Sequence, residues 1–496
     1  MREPVDWPTR DPLAHRSETT PERTALVDAA GDREWTVREL DAAVDDLTPR
    51  VAELASDGNR LGLLASNRVG FVTTVHAALR TGATLVVFNV SLTTDELTAQ
   101  VRRADLDGLV CERKTESQAT EIFDGPIASL DPPQHDAVIP FQPVSGRDVD
   151  PATWSRDDDA FILFTSGTTG EPKGVRLTLG NLVASATASA FRLGVDPSDR
   201  WLCCLPTYHM GGLAPILRTV LYGTTLVLQQ TFDSEQTPRV LAQHDVTGVS
   251  LVPTQLHRLL ETDWQPPEQL QTVLLGGAPA EPELIARARK RAVPVAPTYG
   301  MTETASQIAT ATPRQVRDHP GTVGQPFLFT EVTVVDGSGE PVAAGESGEV
   351  VVDGPTVTPG YLDDESTADA FGEFGLSTGD VGRRDEDGRL WIQGRTDDAI
   401  VTGGETVYPA EITQAIGSHP QVSDVAVVGL PDPEWGERVA AVVVADTAVT
   451  ATDVFDHARE RLAGYKVPKT VEFVSRIPRT ASGTVDRDAV RALLAD

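Results

Sequence analysis

The stretch Thr165-Ser166-Gly167-Thr168-Thr169-Gly170-Glu171-Pro172-Lys173-Gly174-Val175 decides how this chain is to be read. It follows directly on an apolar strand signal, Phe161-Ile162-Leu163-Phe164. Its glycines let backbone N–H groups approach an anion, its hydroxyls donate to phosphate oxygens, and Lys173 supplies a mobile positive charge. The composition is that of a phosphate loop. The Gly-Lys-[Ser/Thr] ending of a Walker loop is absent. A mobile Gly/Ser/Thr linker is a poor fit, because a linker needs neither a buried strand before it nor a lysine at its end.

Upstream of this loop, helix and strand signals alternate. Thr36 and Glu39 make a capping box before an apolar-periodic helix over 40–54, followed by a strand over 61–65 and a helix over 71–80. The run 84–88, a helix over 95–104 and a strand over 109–111 complete βαβ units on a parallel sheet. Downstream the same units recur at 249–251 and 272–275, with a helix over 283–290, while 131–156 is rich in Pro and Asp and reads as a connector. After about Val332 the pattern becomes short strands with Gly-rich turns, including 349–352 and 390–393. A break at 394–404 precedes a small α+β unit with strands near 425–428 and 440–444 and a helix over 454–462. The expected fold is α/β: a large N-terminal domain of two parallel-type sheets with packed helices plus a β-rich subdomain, then a small mobile α+β C-terminal domain. The boundaries fall at 1–394, a hinge over 395–399, and 400–496.

With 496 residues the chain is long for one core. Its net charge of -31 is spread along the whole length, and only five of its cations are lysines: Lys114, Lys173, Lys290, Lys466 and Lys469. That balance resembles proteins from salt-saturated cytoplasm, where a Debye length of about 3 Å at molar salt screens self-repulsion among surface carboxylates. Nucleic acid and anionic membranes are excluded as partners, because both would be repelled. The sequence shows no apolar run long enough to span a bilayer and no secretory leader, so a cytoplasmic location is expected. Cys111, Cys203 and Cys204 form neither a disulfide framework nor a Cys/His metal spacing and are expected to be small core residues. A homo-oligomer is compatible with all of this.

Further motifs follow the loop in order. They are Gly276-Gly277-Ala278-Pro279, Tyr299-Gly300-Met301-Thr302-Glu303-Thr304, Ser377-Thr378-Gly379-Asp380, Gly394-Arg395-Thr396-Asp397-Asp398 and Gly403-Gly404. Each alone has a bland account, Thr-Glu-Thr as a helix cap and Gly-Arg-x-Asp-Asp as a polar turn. Together, and in this order over nearly the whole chain, they resemble the adenylate-forming superfamily of acyl-CoA synthetases, peptide-synthetase adenylation domains and firefly luciferase.

The resemblance implies an AMP-forming acid:CoA ligase with ATP, Mg2+ and coenzyme A, acting on small molecules. It implies that Thr165, Ser166, Gly167, Thr168, Thr169, Gly170 and Lys173 cradle the phosphates, and that Gly277, Ala278 and Pro279 end the adenine-binding strand. Tyr299 and Gly300 would flank the nucleotide, Thr302 would meet the α-phosphate, and Glu303 would hold magnesium, for which a carboxylate is a suitable hard ligand. Asp380 would accept from the ribose hydroxyls, Arg395 would reach ribose or phosphate, and Asp397 would be the hinge. Gly403 and Gly404 would line the pantetheine tunnel. Catalysis would be mostly positioning and charge neutralisation.

One position departs from the pattern. The loop Pro478-Arg479-Thr480-Ala481-Ser482-Gly483-Thr484 resembles the one that presents a lysine to the α-phosphate, and here that place is Thr484, which carries no charge. Three accounts stand: Lys466 or Lys469 compensates, Arg479 or Arg487 enters, or the protein binds adenylates without making them rapidly.

For the acid, Pro206-Thr207-Tyr208-His209-Met210-Gly211-Gly212-Leu213 resembles the segment whose histidine gates the acyl pocket, against the plainer account of His209 as a structural residue. The runs 299–310 and 213–222 resemble the o-succinylbenzoate-activating branch, tied to menaquinone synthesis, more than fatty-acid ligases. A second carboxylate on such a substrate calls for a cation or several donors, and Arg218, Ser306 and Gln307 are the candidates. The alternatives are that Arg218 snorkels to the surface, that Ser306 and Gln307 cap a turn, or that the acid is another aryl or medium-chain one.

Overall fold

A computed structural model describes residues 10–31, 33–55, 59–144, 149–166, 172–280, 282–403, 405–445, 448–479 and 485–494. Its first long helix, Val37–Leu54, begins where the capping box places it: Thr36 Oγ1 accepts from the Glu39 N–H at 3.2 Å, and the Glu39 carboxylate accepts from the Thr36 N–H at 2.8 Å. Leu40, Val44, Val51 and Leu54 then fall on one stripe and are buried.

Two sheets dominated by parallel pairing fill the large part of the molecule. The seven-stranded one runs, in spatial order, Val138–Pro140, Ile127–Ser129, Gly108–Cys111, Arg60–Leu64, Thr84–Val87, Asp159–Ser166 and Pro172–Thr178. The nine-stranded one has Val295–Tyr299, Thr272–Leu275, Gly248–Leu251, Arg200–Cys203, Thr225–Leu228 and Thr24–Asp28 side by side, with antiparallel strands at its edges. These strands are almost wholly buried runs of Val, Leu and Ile, as sheets covered by helices on both faces require. Cys111, Cys203 and Cys204 lie buried among them.

The strands on either side of the expected phosphate loop form a hairpin. Thr165 pairs with Lys173 and Ser166 with Pro172 across antiparallel strands, and the next helix, Leu179–Leu193, starts only after Thr178. The connector 131–156 contains the short edge strand Val138–Pro140 and a buried Trp154 whose indole N–H donates to Leu79 O at 2.7 Å. A three-residue strand ending in proline is too short to give a periodic signal.

The β-rich part is an antiparallel sheet of Glu331–Val335, Ser347–Asp353, Gly375–Arg384, Phe371–Gly372 and Leu390–Arg395. The expected break at 394–404 is a single turn, Thr396–Asp398, between the strands Leu390–Arg395 and Ile400–Thr402. The C-terminal sheet centres on the long pair Val422–Asp432 and Gly436–Ala445. Helices Pro409–Gly417 and Ala451–Arg459 cover one face, and Arg487–Leu494 packs Val490 and Leu494 on the other. The helix expected over 454–462 starts earlier because Thr450 and Asp453 make a capping box.

A buried ionic cluster ties the N-terminal helix Pro12–Thr19 to the body. Arg80, 4% exposed, is paired with Asp11 and Asp41 at 2.6 Å and with Asp45 at 2.5 Å. Next to it His76 lies buried against an apolar cavity of about 10 Å3, lined also by Leu79, Leu182, Leu217 and Val220. Burial pushes its imidazole pKa down to about 4, with Asp11 and Asp41 opposing the shift and Arg80 adding to it.

Above pH 6.5 His76 is neutral in both states. Between pH 6.5 and 4 the unfolded chain takes up a proton that the folded protein refuses, so stability is lost as pH falls through that window. The loss is about 3 kcal/mol, at about 1.4 kcal/mol per tenfold in proton affinity. Denaturant titrations from pH 7 to 4 should show a shallower decline in His76→Leu than in the wild type. Parallel declines would exclude His76 as a source.

Candidate active site

Residues expected to meet the nucleotide come from the C-terminal ends of neighbouring strands, where open α/β sheets bind ligands. Gly276 and Gly277 follow the strand Thr272–Leu275, and Tyr299 ends its parallel neighbour Val295–Tyr299. Gly277 has φ +78°, a left-handed conformation that a side chain would strain. Ala278 is half-buried and Pro279 exposed beside it.

Tyr299 Oη donates to Asp380 Oδ2 at 2.7 Å, and Arg395 Nη1 lies 3.4 Å from Asp380 Oδ1. Asp380 and Arg395 face each other in register across two antiparallel strands. Burial raises the Asp380 pKa, while Tyr299 and Arg395 oppose the rise. Asp380 is thus a fixed acceptor, with one oxygen engaged by a phenol and the other only weakly held. At Gly379, φ +68°, a Cβ would lie 2.9 Å from Arg395 Nη2, so a side chain there would displace the arginine.

Glu303 sits in the short turn Thr302–Thr304 and is 6% exposed; Thr302, just before it, is half-buried. Its carboxylate accepts from Tyr361 Oη at 3.1 Å, and its carbonyl accepts from the Thr358 N–H at 2.7 Å. Burial raises its pKa, and the charges of Arg395 and Lys173 offset part of the rise. Lys173 Nζ lies 5.3 Å from the Tyr361 ring centroid, and Tyr361 donates to Glu303. A buried carboxylate with one phenol donor and two cations nearby fits one ligand position of a hard divalent ion. Among the described residues no cluster of three or more His, Cys, Asp or Glu forms a metal cage, so such an ion would take its other ligands from the substrate or water.

A polar network lies beyond this turn. Arg218 projects from the helix Met210–Tyr222 and donates to Gln307 Oε1 at 2.6 Å and to Ser185 Oγ at 3.0 Å. Ser189 Oγ also donates to Gln307 Oε1 at 2.9 Å, and Gln307 Nε2 donates to Thr310 Oγ1 at 2.9 Å. Among the described residues no carboxylate pairs with Arg218, and desolvation lowers its pKa. Ser306, half-buried, has φ +115° and follows Ala305 at φ +49°; its carbonyl is so close to Gly300 that a Cβ there would lie 1.7 Å from it. His209 precedes the first turn of the same helix, keeps contact with solvent, packs edge-on against Tyr208 at 4.8 Å and has its pKa lowered by its surroundings.

In the C-terminal part, Gly403 has φ +60°, and a Cβ there would meet the Trp435 ring at 2.7 Å. Asp397 is exposed in the single turn that links the last strand of the β-rich sheet to the C-terminal sheet. Gly167, Thr168, Thr169, Gly170, Gly404 and Thr484 lie outside the described residues. Thr165 and Ser166 end the strand that leads into the loop.

The sequence did not single out Tyr361, Ser185 or Ser189. Asn181, Ser185 and Ser189, four apart on an otherwise apolar helix, were the available signal: all three point inward, Asn181 donating to Val357 O at 2.8 Å.

The AMP-binding enzyme family matches residues 13–362, and its C-terminal domain matches 411–484. The chain belongs to the AMP-binding enzyme family. It is 37% identical over 477 residues to the 2-succinylbenzoate–CoA ligase of Bacillus licheniformis, covering 96% of this chain and 98% of that one. The o-succinylbenzoate CoA synthetase (MenE) of Bacillus subtilis, in complex with the acyl-adenylate intermediate OSB-AMP, superimposes with a TM-score of 0.89 at 34% identity. That match covers 97% of this chain and 98% of the other. The same enzyme in complex with ATP and magnesium ion also gives 0.89 at 34% identity, covering 97% and 99%. A double mutant of it bound with its product analogue OSB-NCoA gives only 0.74, at the same 34% identity and with 97% and 98% covered. At equal identity and near-equal coverage, this AMP-binding enzyme overlays better on the nucleotide and adenylate complexes than on the product-analogue complex.

Proposed function

We propose that this protein is an AMP-forming ligase that converts o-succinylbenzoate, ATP and CoA to o-succinylbenzoyl-CoA, AMP and diphosphate through an acyl-adenylate. Arg218 carries the substrate assignment. It is a desolvated cation that has no carboxylate partner among the described residues and bonds to Gln307 beyond the Glu303 turn, near Ser306, and an aromatic acid with a second carboxylate supplies the missing anion.

The substrate's succinyl carboxylate attacks the α-phosphorus of ATP, the bond to the β-phosphate breaks, and pyrophosphate leaves with its electron pair. Asp380 and Tyr299 hold the ribose end, Lys173 and the loop 165–170 hold the phosphates, and Thr302 meets the α-phosphate. Glu303 would hold a magnesium ion on the protein side, and the ion would supply charge neutralisation for the leaving pyrophosphate. In the second half-reaction the CoA thiolate attacks the acyl carbon and AMP leaves; Gly403 and Gly404 line the path of the pantetheine arm, and His209 gates the acyl pocket. Between the two steps residues 400–496 turn against 1–394 about Asp397, within the hinge 395–399. The surface acidity supports a salt-rich cytoplasm as the setting. Among the described residues no helix is long and apolar enough to cross a membrane.

Thioester formation and AMP release, measured in molar KCl with o-succinylbenzoate beside benzoate and octanoate, test the assignment. The expected kcat/KM for o-succinylbenzoate exceeds the others by about 100-fold, the worth of about 3 kcal/mol of carboxylate recognition. Turnover of benzoate or octanoate alone would discard the substrate. Bound AMP without turnover of any acid would discard the ligase.

A further inference from the structure

Adenylation presses two anions together, a carboxylate and an α-phosphate, and a cation at their meeting point is what lowers the barrier. Position 484, where a lysine would supply that cation, is threonine. The basic residues near it in sequence are committed elsewhere: Lys466 is paired with Glu411 at 2.6 Å, Arg479 with Asp424 at 2.8 Å and Arg487 with Asp398 at 2.5 Å, while Lys469 lies 5.4 Å from the Trp435 ring centroid.

The charges of two cations act on Glu303, those of Arg395 and Lys173. On the proposed function Lys173, beside the phosphate loop, serves the β and γ end of the nucleotide. Arg395 ends the strand Leu390–Arg395 beside Asp380. Its Nη1 contact with Asp380 is 3.4 Å, long for a charge-assisted hydrogen bond, which is usually about 2.7–2.9 Å. Its side chain is 43% exposed, and its charge acts on Tyr299, Glu303, Tyr361 and Asp380 together.

We infer that Arg395 is the cation of adenylation in this chain, bridging the attacking carboxylate and the α-phosphate, so that this half-reaction is driven from the hinge strand and not from the C-terminal loop. The inference rests on the ligase assignment above. The step needs no proton: a P–O bond forms to the carboxylate, the P–O bond to pyrophosphate breaks, and Arg395 stays protonated throughout.

The test uses the full-length protein and two separate readouts: pyrophosphate release from ATP and o-succinylbenzoate without CoA, and thioester formation from presynthesised acyl-adenylate and CoA. Arg395→Gln should lower the single-turnover rate of pyrophosphate release by about 10²- to 10³-fold, with the ATP concentration for half-maximal rate within about fivefold. Arg395→Lys should recover at least about a tenth of the wild-type rate, because a charge at the same place serves in part. Thioester formation should change little in either variant, and Lys466→Gln should match the wild type in both assays.

Equal loss in both half-reactions would mark Arg395 as a hinge residue, and a rise in the ATP concentration for half-maximal rate alone would mark it as a ribose contact; either overturns the inference, as does loss of adenylation in Lys466→Gln. A wild type that adenylates o-succinylbenzoate while Arg395→Gln does so equally well refutes this inference alone. A wild type that releases no pyrophosphate with any acid refutes the ligase assignment and this role with it.

Discussion

Glu303→Gln should slow pyrophosphate release by about 10³-fold, the equivalent of about 4 kcal/mol of lost charge stabilisation, while leaving the fold intact. The carboxylate is buried and its pKa is raised by that burial, so a neutral amide of the same shape removes a desolvation cost and does not add one. The amide oxygen can still accept from Tyr361 Oη, whose contact is 3.1 Å in the wild type. Thermal unfolding without ligand should therefore occur at the same temperature or higher. Thioester formation from presynthesised acyl-adenylate should fall far less, because that step releases no pyrophosphate. A variant that keeps more than about a tenth of the adenylation rate in saturating magnesium would remove Glu303 from the metal site.

Arg218→Met should lower kcat/KM for o-succinylbenzoate by about 100-fold, because a buried carboxylate left without its cation costs about 3 kcal/mol. Benzoate and other acids without a second carboxylate should be affected much less. Loss of the cation also relieves the apo protein, since a desolvated charge without a counter-ion is destabilising by itself. Ser185 Oγ keeps its bond to Ala305 O at 2.8 Å, and Gln307 Oε1 keeps Ser189 at 2.9 Å, so the network does not collapse with the arginine. The combination to look for is an unchanged or raised Tm together with loss of the thermal shift that o-succinylbenzoate gives the wild type. A lowered Tm with equal losses for all acids would make Arg218 a packing residue.

How much of this was legible depended on how local each feature is. The start of Val37–Leu54 could be read because Thr36 and Glu39 are three residues apart and satisfy each other. Glu303 could be placed from its own short motif. The pairing of Tyr299 with Asp380 could not, because the two residues are 81 apart and meet only when the β-rich sheet docks beside the strand Val295–Tyr299. Arg218 stands out as a cation in an apolar helix, and Ser306 and Gln307 through the resemblance of the run 299–310, but no local pattern shows that Arg218 and Gln307, 89 residues apart, bond to each other. Tyr361 escaped notice since one tyrosine after a glycine carries no pattern; its meaning comes from Glu303, 58 positions away. The course of the chain after the phosphate loop was also hidden, because β-branched and glycine residues at 172–178 suit a returning strand no better than a connector.

That returning strand bears on how long each product stays on the protein. Walker-type loops open directly into a helix, whose N-terminus adds about half a unit of permanent positive charge under the phosphates. Here seven residues of strand, Pro172–Thr178, intervene, carrying the start of Leu179–Leu193 about 20 Å from the loop. On the proposed function the triphosphate would be held by side chains such as Lys173 and by a dissociable ion, both of which can let go, whereas the adenosine end would rest on the pair Tyr299 and Asp380. Pyrophosphate should have the short residence time and the acyl-adenylate the long one, so the reactive mixed anhydride stays sequestered while the thiol arrives.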